Sequence, residues 1–373
     1  MKILQLLGNT AFGGATHMVI KISIKLRQDG HDVIIMANDL ETKRRFDELG
    51  FRCDHIEEMG RSIHPYKDLI SVLKLKKYVK SENIDLVHSH TTKGGIYSRA
   101  LKLICPKMKV IHTVHGYYFK MDGSKRDKVT YMIERFFHRF ADVTTYVNGY
   151  DYNIASKWPN CENNVLIYNG VSLDQFSPSG RLEGEASGEE KATVTVGISA
   201  RIVHEKGYRE FIELIKQNLY TPNIKFVVVG TGPDAAYYKK RVKEITKDES
   251  VANDKVIFHG YTENVSSLIK EWDINILPSY REGLSISLIE ACASGIPSVA
   301  TRIRGNVEII EEGVTGLLYE AKDSKALIEC VQTLMDDKAL RSQMGQAARK
   351  RAEIHFDEKK MLEAYSEIVK SLH

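Results

Sequence analysis

The chain has 373 residues, of which 43% are hydrophobic and 27% are charged, and it contains only 8 prolines. This composition is typical of a folded protein of two or three domains and excludes a collagen-like or largely disordered chain. The net charge of +4 hides an asymmetry. Residues 1–170 hold 26 Lys and Arg against 18 Asp and Glu, a net of +8, so the remainder is at −4.

Several classes of protein are excluded by the distribution of residues. No run of 18 apolar residues occurs, so we expect no membrane-spanning helix, and the apolar start of the chain indicates a buried strand rather than a signal peptide. The five cysteines lie far apart, which indicates reduced core thiols in a cytoplasmic protein. The excess of basic residues is too dispersed to favour a nucleic-acid partner.

Apolar strands alternate with amphipathic helices through the first half of the chain. The predicted strands are KILQLLG, HDVIIMA, FRCDHI, IDLVHSH, KVIHTVHG and DVTTYVN. Helical spacing fills the intervals, for example over residues 65–81. This alternation predicts a parallel sheet covered by helices on both faces.

The same alternation resumes after a polar interval. Residues 171–190 are predicted to be a linker, and strands then follow at TVTVGISA, IKFVVVG, KVIFHG, INILPS, PSVAT and TGLLYE. We therefore predict an α/β protein with two Rossmann-like, doubly wound domains, residues 1–170 and 191–350, facing a central cleft. A closing helix within 351–373 is expected to pack back toward the first domain. Such sheets bind ligands beyond the carboxyl ends of their strands, which predicts a two-substrate enzyme.

The strongest candidate site follows the strand INILPS. Glu282 lies on the predicted loop, beside Gly283, and Glu290 lies two turns into the next helix. Carboxylates accept hydrogen bonds from paired sugar hydroxyls, and the start of the helix, near Leu284 and Ser285, can receive a phosphate. The alternative is a solvated loop glutamate and an unrelated helix glutamate.

A second candidate follows the strand TVTVGIS. Arg201 and Lys206 lie at its carboxyl end, just before Gly207. Two cations there suit a diphosphate, with arginine as a bidentate donor and lysine as a point charge. Two solvated loop cations are the alternative.

Two glycine-rich turns are candidates for nucleotide-binding motifs. Gly13 and Gly14 follow the first strand without the Lys-Ser/Thr of a P-loop, although their backbone can approach a ligand closely. Gly230 begins a Gly-Thr-Gly segment that resembles a dinucleotide fingerprint. Pro233 takes the place of a free amide there, so NAD is not favoured.

Four histidines lie at the ends of two predicted strands, at positions 88, 90, 112 and 115. They raise the alternative of a zinc site. No carboxylate or cysteine completes a ligand set, and their spacings aim the side chains differently, so we expect no metal. His115, beside Gly116, is the preferred site residue.

Taken together, these motifs resemble glycosyltransferase family 4, the retaining, metal-independent transferases of GT-B fold, and in particular its capsular-polysaccharide branch. The resemblance covers essentially the whole chain. Its most specific part is Glu282-x7-Glu290 followed by residues 293–301, supported by Arg201, Lys206 and the segment His112–Gly116. The chain departs from the family pattern at Arg304-Gly305 and at Thr16-His17.

The resemblance implies a role for each candidate. Glu290 would bind the ribose, Glu282 and the backbone of Gly283, Leu284 and Ser285 the donor sugar, and Arg201 and Lys206 the diphosphate. Gly230 would belong to the donor site, and Tyr261 would border the base. His115 would lie beside the sugar, and Gly13 and Gly14 would approach the phosphates.

The implied reaction moves a hexose or N-acetylhexosamine, with UDP as the expected nucleotide, to a surface-polysaccharide or lipid-diphosphate-linked glycan. No metal and no cofactor are expected. Basic amphipathic helices over residues 69–80 and 125–139 favour an anionic membrane surface as a further partner, on the inner face of the plasma membrane. The alternatives are a GT-B nucleotide-sugar epimerase, a phosphorylase, or a non-catalytic module that binds sugar nucleotides.

Overall fold

The structure is a computed structural model that describes residues 1–8, 13–60, 64–119, 124–179, 193–246 and 254–373. These residues form two compact units. The first contains Met1–Asn169 and Lys360–His373, and the second contains Gly170–Lys359. Residues 180–190 of the predicted linker lie outside the described residues.

The first unit contains, within its described residues, a seven-stranded sheet in the order β3-β2-β1-β4-β5-β6-β7. All its strand pairs are parallel. The strands are β1 Lys2–Gly8, β2 Asp32–Ala37, β3 Arg52–Asp54, β4 Leu86–Ser89, β5 Lys109–Val114, β6 Val143–Tyr146 and β7 Asn164–Leu166. Chain order reverses between β1 and β4, which makes this pair the switch point of the sheet.

The strands of the first sheet are joined by helices. These are α1 Gly14–Gln28, α2 Leu40–Glu48, α3 Pro65–Ser81, α4 Thr92–Ile104, α5 Lys125–His138 and α6 Gly149–Ala155. Polar residues begin several of them: the side chains of Asp39, Thr91 and Asn148 each accept a hydrogen bond from a first-turn amide. Such caps satisfy amides that have no partner within the helix, which is why these helices begin where they do.

The second unit contains, within its described residues, a six-stranded parallel sheet in the order β10-β9-β8-β11-β12-β13. The strands are β8 Val194–Ser199, β9 Ile224–Val229, β10 Val256–Gly260, β11 Ile274–Leu277, β12 Ser298–Thr301 and β13 Gly316–Tyr319. Its helices are α7 Tyr208–Gln217, α8 Ala235–Thr246, α9 Val265–Ile269, α10 Ile286–Ala293, α11 Asn306–Ile309, α12 Ser324–Asp336 and α13 Lys338–His355. Here the switch point lies between β8 and β11.

The last helix, α14 Glu358–Ser371, extends from the second unit into the first. On the side of the second unit, Val171 pairs with Asp357, and the amide of Val171 donates to the Phe356 carbonyl at 2.9 Å. In the first unit, the Ser366 hydroxyl donates to Asp29 at 2.7 Å.

The predicted alternation of strands and helices is confirmed in both units. The structure adds α6 and β7, which were not predicted from the sequence; β7 has three residues, too few to display a strand period. No helix among the described residues has the length and apolar character needed to cross a membrane.

Candidate active site

The loops after β8 and β11 lie side by side at the switch point of the second sheet. This is the edge at which open α/β sheets bind ligands. Gly207 has a φ of 70°, and a Cβ at this position would lie 1.9 Å from the carbonyl oxygen of Pro278. The amide of Tyr280 donates to the Glu205 carbonyl at 2.8 Å. The two loops therefore pack backbone to backbone, and only glycine fits at position 207.

Lys206 and Glu282 form an ion pair across these loops. The Lys206 Nζ lies 2.5 Å from Glu282 Oε1, and both side chains are largely buried. Lys206 ends a single 3-10 turn, His204–Lys206, and Glu282 precedes α10. The two residues are 76 positions apart in sequence, so the fold joins the two motifs that the sequence analysis considered separately.

Glu210, on α7, holds the loop that follows β11 through a hydrogen bond. The Tyr280 hydroxyl donates to both carboxylate oxygens of Glu210, at 2.9 Å and 2.7 Å, and Glu210 is only 3% exposed. Burial and the neighbouring carboxylate raise the pKa of Tyr280 above its ordinary value, so the hydroxyl stays protonated and remains a donor. Glu210 was not among the residues predicted from the sequence. A glutamate on the apolar face of the segment GYREFIELIKQN was the available signal.

The backbone of Gly283, Leu284 and Ser285 forms the entry to α10. The Ser285 side chain caps this helix by accepting from the Leu288 amide at 3.4 Å. Gly305, at a φ of 81°, lies against this segment so closely that a Cβ would be 2.1 Å from the Gly283 carbonyl oxygen. Glu290 lies on α10 and is partly buried. The Arg304-Gly305 departure thus retains the glycine that the close approach requires.

The remaining predicted residues of this unit extend along the same edge. Arg201 is exposed and directly follows the turn after β8. A Cβ on Gly230 would lie 2.2 Å from the Ala200 carbonyl oxygen, so the loops after β8 and β9 are also packed together. The Gly230 amide donates to the Gly260 carbonyl at 2.8 Å, which brings the half-exposed Tyr261 next to this edge.

His115, Gly13 and Gly14 lie in the first unit, at the carboxyl edge of its sheet. His115 follows β5 and is partly buried, and burial lowers its pKa to about 4, so the imidazole is neutral at pH 7. Gly14 begins α1, and the Gly13 carbonyl accepts from the His17 amide at 3.0 Å. Residues 9–12 of this glycine-rich turn lie outside the described residues.

The histidines at positions 88, 90, 112 and 115 are hydrogen-bonded to protein groups. His88 Nε2 lies 2.8 Å from the Thr113 hydroxyl, and His112 Nδ1 lies 3.1 Å from the Ser89 hydroxyl. In the described part of the chain, no group of three His, Cys, Asp or Glu side chains is placed to hold a metal ion. The candidate site residues are therefore Arg201, Lys206 and Glu282 in the second unit and the neutral imidazole of His115 in the first.

Comparisons with known proteins agree with the predicted fold and family. The model of Glycosyltransferase Family 4 matches residues 12–175, and that of Glycosyl transferases group 1 matches residues 183–351. HepE of Anabaena, solved in complex with UDP, superposes with a TM-score of 0.80 at 20% identity, over 100% of both chains. At this identity the likeness shows the fold, which is the GT-B fold predicted from the sequence.

Curated relatives match over most of their length. The chain is 27% identical to the Escherichia coli UDP-Gal:alpha-D-GlcNAc-diphosphoundecaprenol alpha-1,3-galactosyltransferase, covering 78% of this chain and 76% of that protein. It is 26% identical to the capsular polysaccharide biosynthesis glycosyltransferase CapM of Staphylococcus aureus, covering 89% and 87%. Fold and matched models define a glycosyltransferase of GT-B type. The chain belongs to glycosyltransferase family 4.

Proposed function

We propose that this enzyme transfers a hexose or N-acetylhexosamine from a UDP-sugar to a polyprenyl-diphosphate-linked glycan of a surface polysaccharide. The curated relatives support this acceptor, since two of them are transferases to diphosphoundecaprenol-linked sugars. The structure of HepE with UDP-glucose supports the donor. The observation that carries the proposal is the Lys206–Glu282 ion pair at the switch point of the second sheet.

The proposed roles are those that the family resemblance implies. Lys206 and Arg201 neutralise the diphosphate, the most charged part of the donor. Glu282 and the backbone at Gly283–Ser285 bind the sugar hydroxyls. Glu290 binds the ribose. Gly230 and Tyr261 lie toward the base.

The first unit completes the set of proposed donor contacts. His115 contacts the sugar, and Gly13 and Gly14 approach the phosphates. These three residues all lie at the carboxyl edge of the first sheet, where α/β sheets bind their ligands.

We propose a retaining reaction that requires neither metal nor cofactor. The bond between the anomeric carbon and the β-phosphate oxygen breaks, and the acceptor oxygen bonds to the same face of that carbon. The acceptor proton passes to the released diphosphate. Lys206 and Arg201 stabilise the negative charge that develops on this leaving group. A bound metal ion can have the same role in other enzymes.

The test is transfer from a panel of UDP-, GDP- and ADP-sugars to an undecaprenyl-diphosphate-linked GlcNAc acceptor. Lys206→Met should lower kcat by about 100-fold or more, because it removes a charge aimed at the leaving group. Lys216→Met, at an exposed position on α7, is the matched control. Transfer that persists in Lys206→Met within a few-fold of the control would refute the role of Lys206.

Two further measurements separate the finer claims. Activity should be unchanged in excess EDTA, and proton NMR of the product should show the anomeric configuration of the donor. Inhibition by EDTA that Mg²⁺ or Mn²⁺ reverses would contradict the metal-independent mechanism. An inverted product would contradict retention.

We also propose that the first unit binds an anionic membrane surface. On α3, Tyr66, Leu69 and Leu73 are 71%, 59% and 52% exposed and follow the i, i+3, i+7 spacing of one helix face. On α5, the same spacing is repeated by a second exposed apolar set, Val129, Met132 and Phe136.

Helices α3 and α5 have the same neighbouring helix, and both carry exposed basic residues. Both pack against α4, whose end exposes Leu103 and Ile104. Exposed basic residues flank both stripes, namely Lys67, Lys77 and Lys80 on α3 and Lys125, Lys128 and Arg135 on α5. Apolar faces bordered by Lys and Arg are typical of helices that lie on anionic bilayers. An acceptor held in a bilayer requires the enzyme to reach this surface.

Flotation with vesicles of phosphatidylglycerol or phosphatidylcholine tests the membrane proposal. Binding should require the anionic lipid, decrease with salt, and be lost in Met132→Glu/Phe136→Glu. Leu40→Glu changes an even more exposed apolar residue, 82% exposed on α2, and should leave binding intact. Binding that is absent from anionic vesicles, or equal in both variants, would refute the proposal.

A further inference from the structure

A chain of three polar side chains leads inward from His115. Its Nε2 lies 3.4 Å from Nδ1 of His90, and Nε2 of His90 lies 2.7 Å from Oε1 of Gln5. Gln5 is 0% exposed and His90 is 2% exposed. The chain therefore links a partly buried site residue to the interior of the sheet through groups that water does not reach.

The three residues come from neighbouring strands. Gln5 lies in β1, while His90 directly follows β4 and His115 directly follows β5. The amide of His90 donates to the Leu6 carbonyl at 3.1 Å, which fixes its backbone against β1. The imidazole rings of His90 and His115 lie 5.6 Å apart between centroids. The chain thus spans the switch point of the first sheet.

The direction of each hydrogen bond follows from the innermost partner. In the structure Oε1 of Gln5 faces His90, while Nε2 of Gln5 has no hydrogen-bond partner among the described residues. With the amide in this orientation its oxygen only accepts, so Nε2 of His90 carries the hydrogen. Burial holds the pKa of His90 well below its ordinary value, so the ring is neutral and its Nδ1 is a lone-pair acceptor. Nε2 of His115 must then be the donor in the second bond. A neutral His115 with hydrogen on Nε2 has its lone pair on Nδ1.

We propose that Gln5 and His90 are positioning residues that fix the ring orientation and tautomer of His115, so that its Nδ1 is presented as a hydrogen-bond acceptor for a hydroxyl of the sugar. Among the described residues, Nδ1 of His115 has no hydrogen-bond partner. The part that concerns the sugar rests on the proposed function. The fixing of the tautomer does not.

Gln5→Met removes the acceptor while retaining a buried, unbranched side chain of similar volume. Without this acceptor, His90 can carry its hydrogen on either ring nitrogen. The tautomer of His115 is then no longer fixed either. Turnover should fall about 5- to 10-fold, the range expected for one misdirected hydrogen bond, with the donor KM little changed.

The spectroscopic test uses apoprotein labelled with 15N-histidine. Two-bond 1H–15N correlation spectra of the wild type should show both His90 and His115 as the Nε2-protonated tautomer, and Gln5→Met should shift both toward a mixture. Ser23→Ala, another fully buried polar residue of the first unit, is the matched control. Wild-type Nδ1-protonated rings, or spectra unchanged by Gln5→Met, would overturn the inference even if no donor had yet been found.

The kinetic test is a double-mutant cycle with His115→Asn. If Gln5 acts through His115, Gln5→Met should cost 5- to 10-fold alone and nothing further in the His115→Asn background. Equal costs in both backgrounds would show a general structural role and overturn the inference. A wild type that is inactive with every donor would contradict the proposed function, whereas the spectra would still decide the tautomer chain.

Discussion

Gly305→Ala tests whether the backbone before α10 positions the donor. The residue has a φ of 81°, and an added Cβ would lie 2.1 Å from the Gly283 carbonyl oxygen and 3.3 Å from Cα of Leu284. Ordinary contact begins at 3.4 Å. The two backbones must therefore separate by about 1.3 Å, the difference between those distances, and the segment that moves is the one proposed to bind the sugar.

Two costs of this substitution can be separated. An alanine held at this positive φ costs about 1–3 kcal/mol, and forcing an extra carbon into a packed contact costs about 1–3 kcal/mol more. Gly313→Ala is the matched control, since its φ is 72° but nothing lies within 4 Å of the added Cβ. It should incur only the first cost, while Gly305→Ala should incur both.

Denaturant unfolding and donor kinetics provide the two readouts. We expect Gly305→Ala to be less stable than Gly313→Ala by about 1–3 kcal/mol. A displacement of about 1 Å can cost 100-fold in rate, so kcat/KM for the donor should fall by about that factor relative to the control. If Gly305→Ala were destabilised as expected but transferred sugar within threefold of Gly313→Ala, the proposed role of the Gly283–Ser285 backbone would be wrong.

Three further predictions concern stability. Tyr280→Phe leaves Glu210 buried without its hydrogen-bond donor and should lower the unfolding free energy by about 1–3 kcal/mol. An unchanged midpoint in urea titrations would show that this hydrogen bond does not stabilise the loop. Arg99→Met breaks a 2.8 Å ion pair whose residues are 0% and 1% exposed, and should cost about 3–5 kcal/mol. Most of that loss should be recovered when Glu134→Leu is added, and a double variant as unstable as the single one would refute this. Finally, burial lowers the pKa of His88 to about 3, so below the ordinary pKa near 6.5 the unfolded state binds the extra proton. The unfolding free energy should therefore fall as pH decreases from about 6.5 toward 4, by about 1.4 kcal/mol per pH unit for this residue, and His88→Asn should reduce that slope.

Most of the secondary structure could be predicted because each element has its own local pattern. The strands are apolar on both faces, since helices cover both sides of the sheets, and the helices display an apolar stripe and recognisable caps. Helix α3 was predicted with the bounds that the structure has, Pro65–Ser81. Strand order could not be predicted in the same way, because a buried parallel strand has the same local pattern whichever strands lie beside it.

The candidate site was predicted as separate motifs, each at the end of a strand. The ion pair between Lys206 and Glu282 depends on β8 and β11 being neighbours, which only the sheet order establishes. The supporting contacts were not predicted. Glu210 lies on the apolar face of α7, but its partner could not be read from the sequence, because the bond to Tyr280 spans 70 positions.

The class of protein can be recognised from the amino-acid sequence alone, because two series of strands and helices alternate and the family motifs lie in the loops that follow the strands. The residue types available at those loops are also visible there. Which loops meet is seen only in the folded chain, as is the need for glycine at position 305, against Gly283, and the link from Gln5 to His115 through His90. Local periodicity reflects burial, whereas hydrogen bonds and close backbone contacts depend on positions that the chain brings together only when the sheets form.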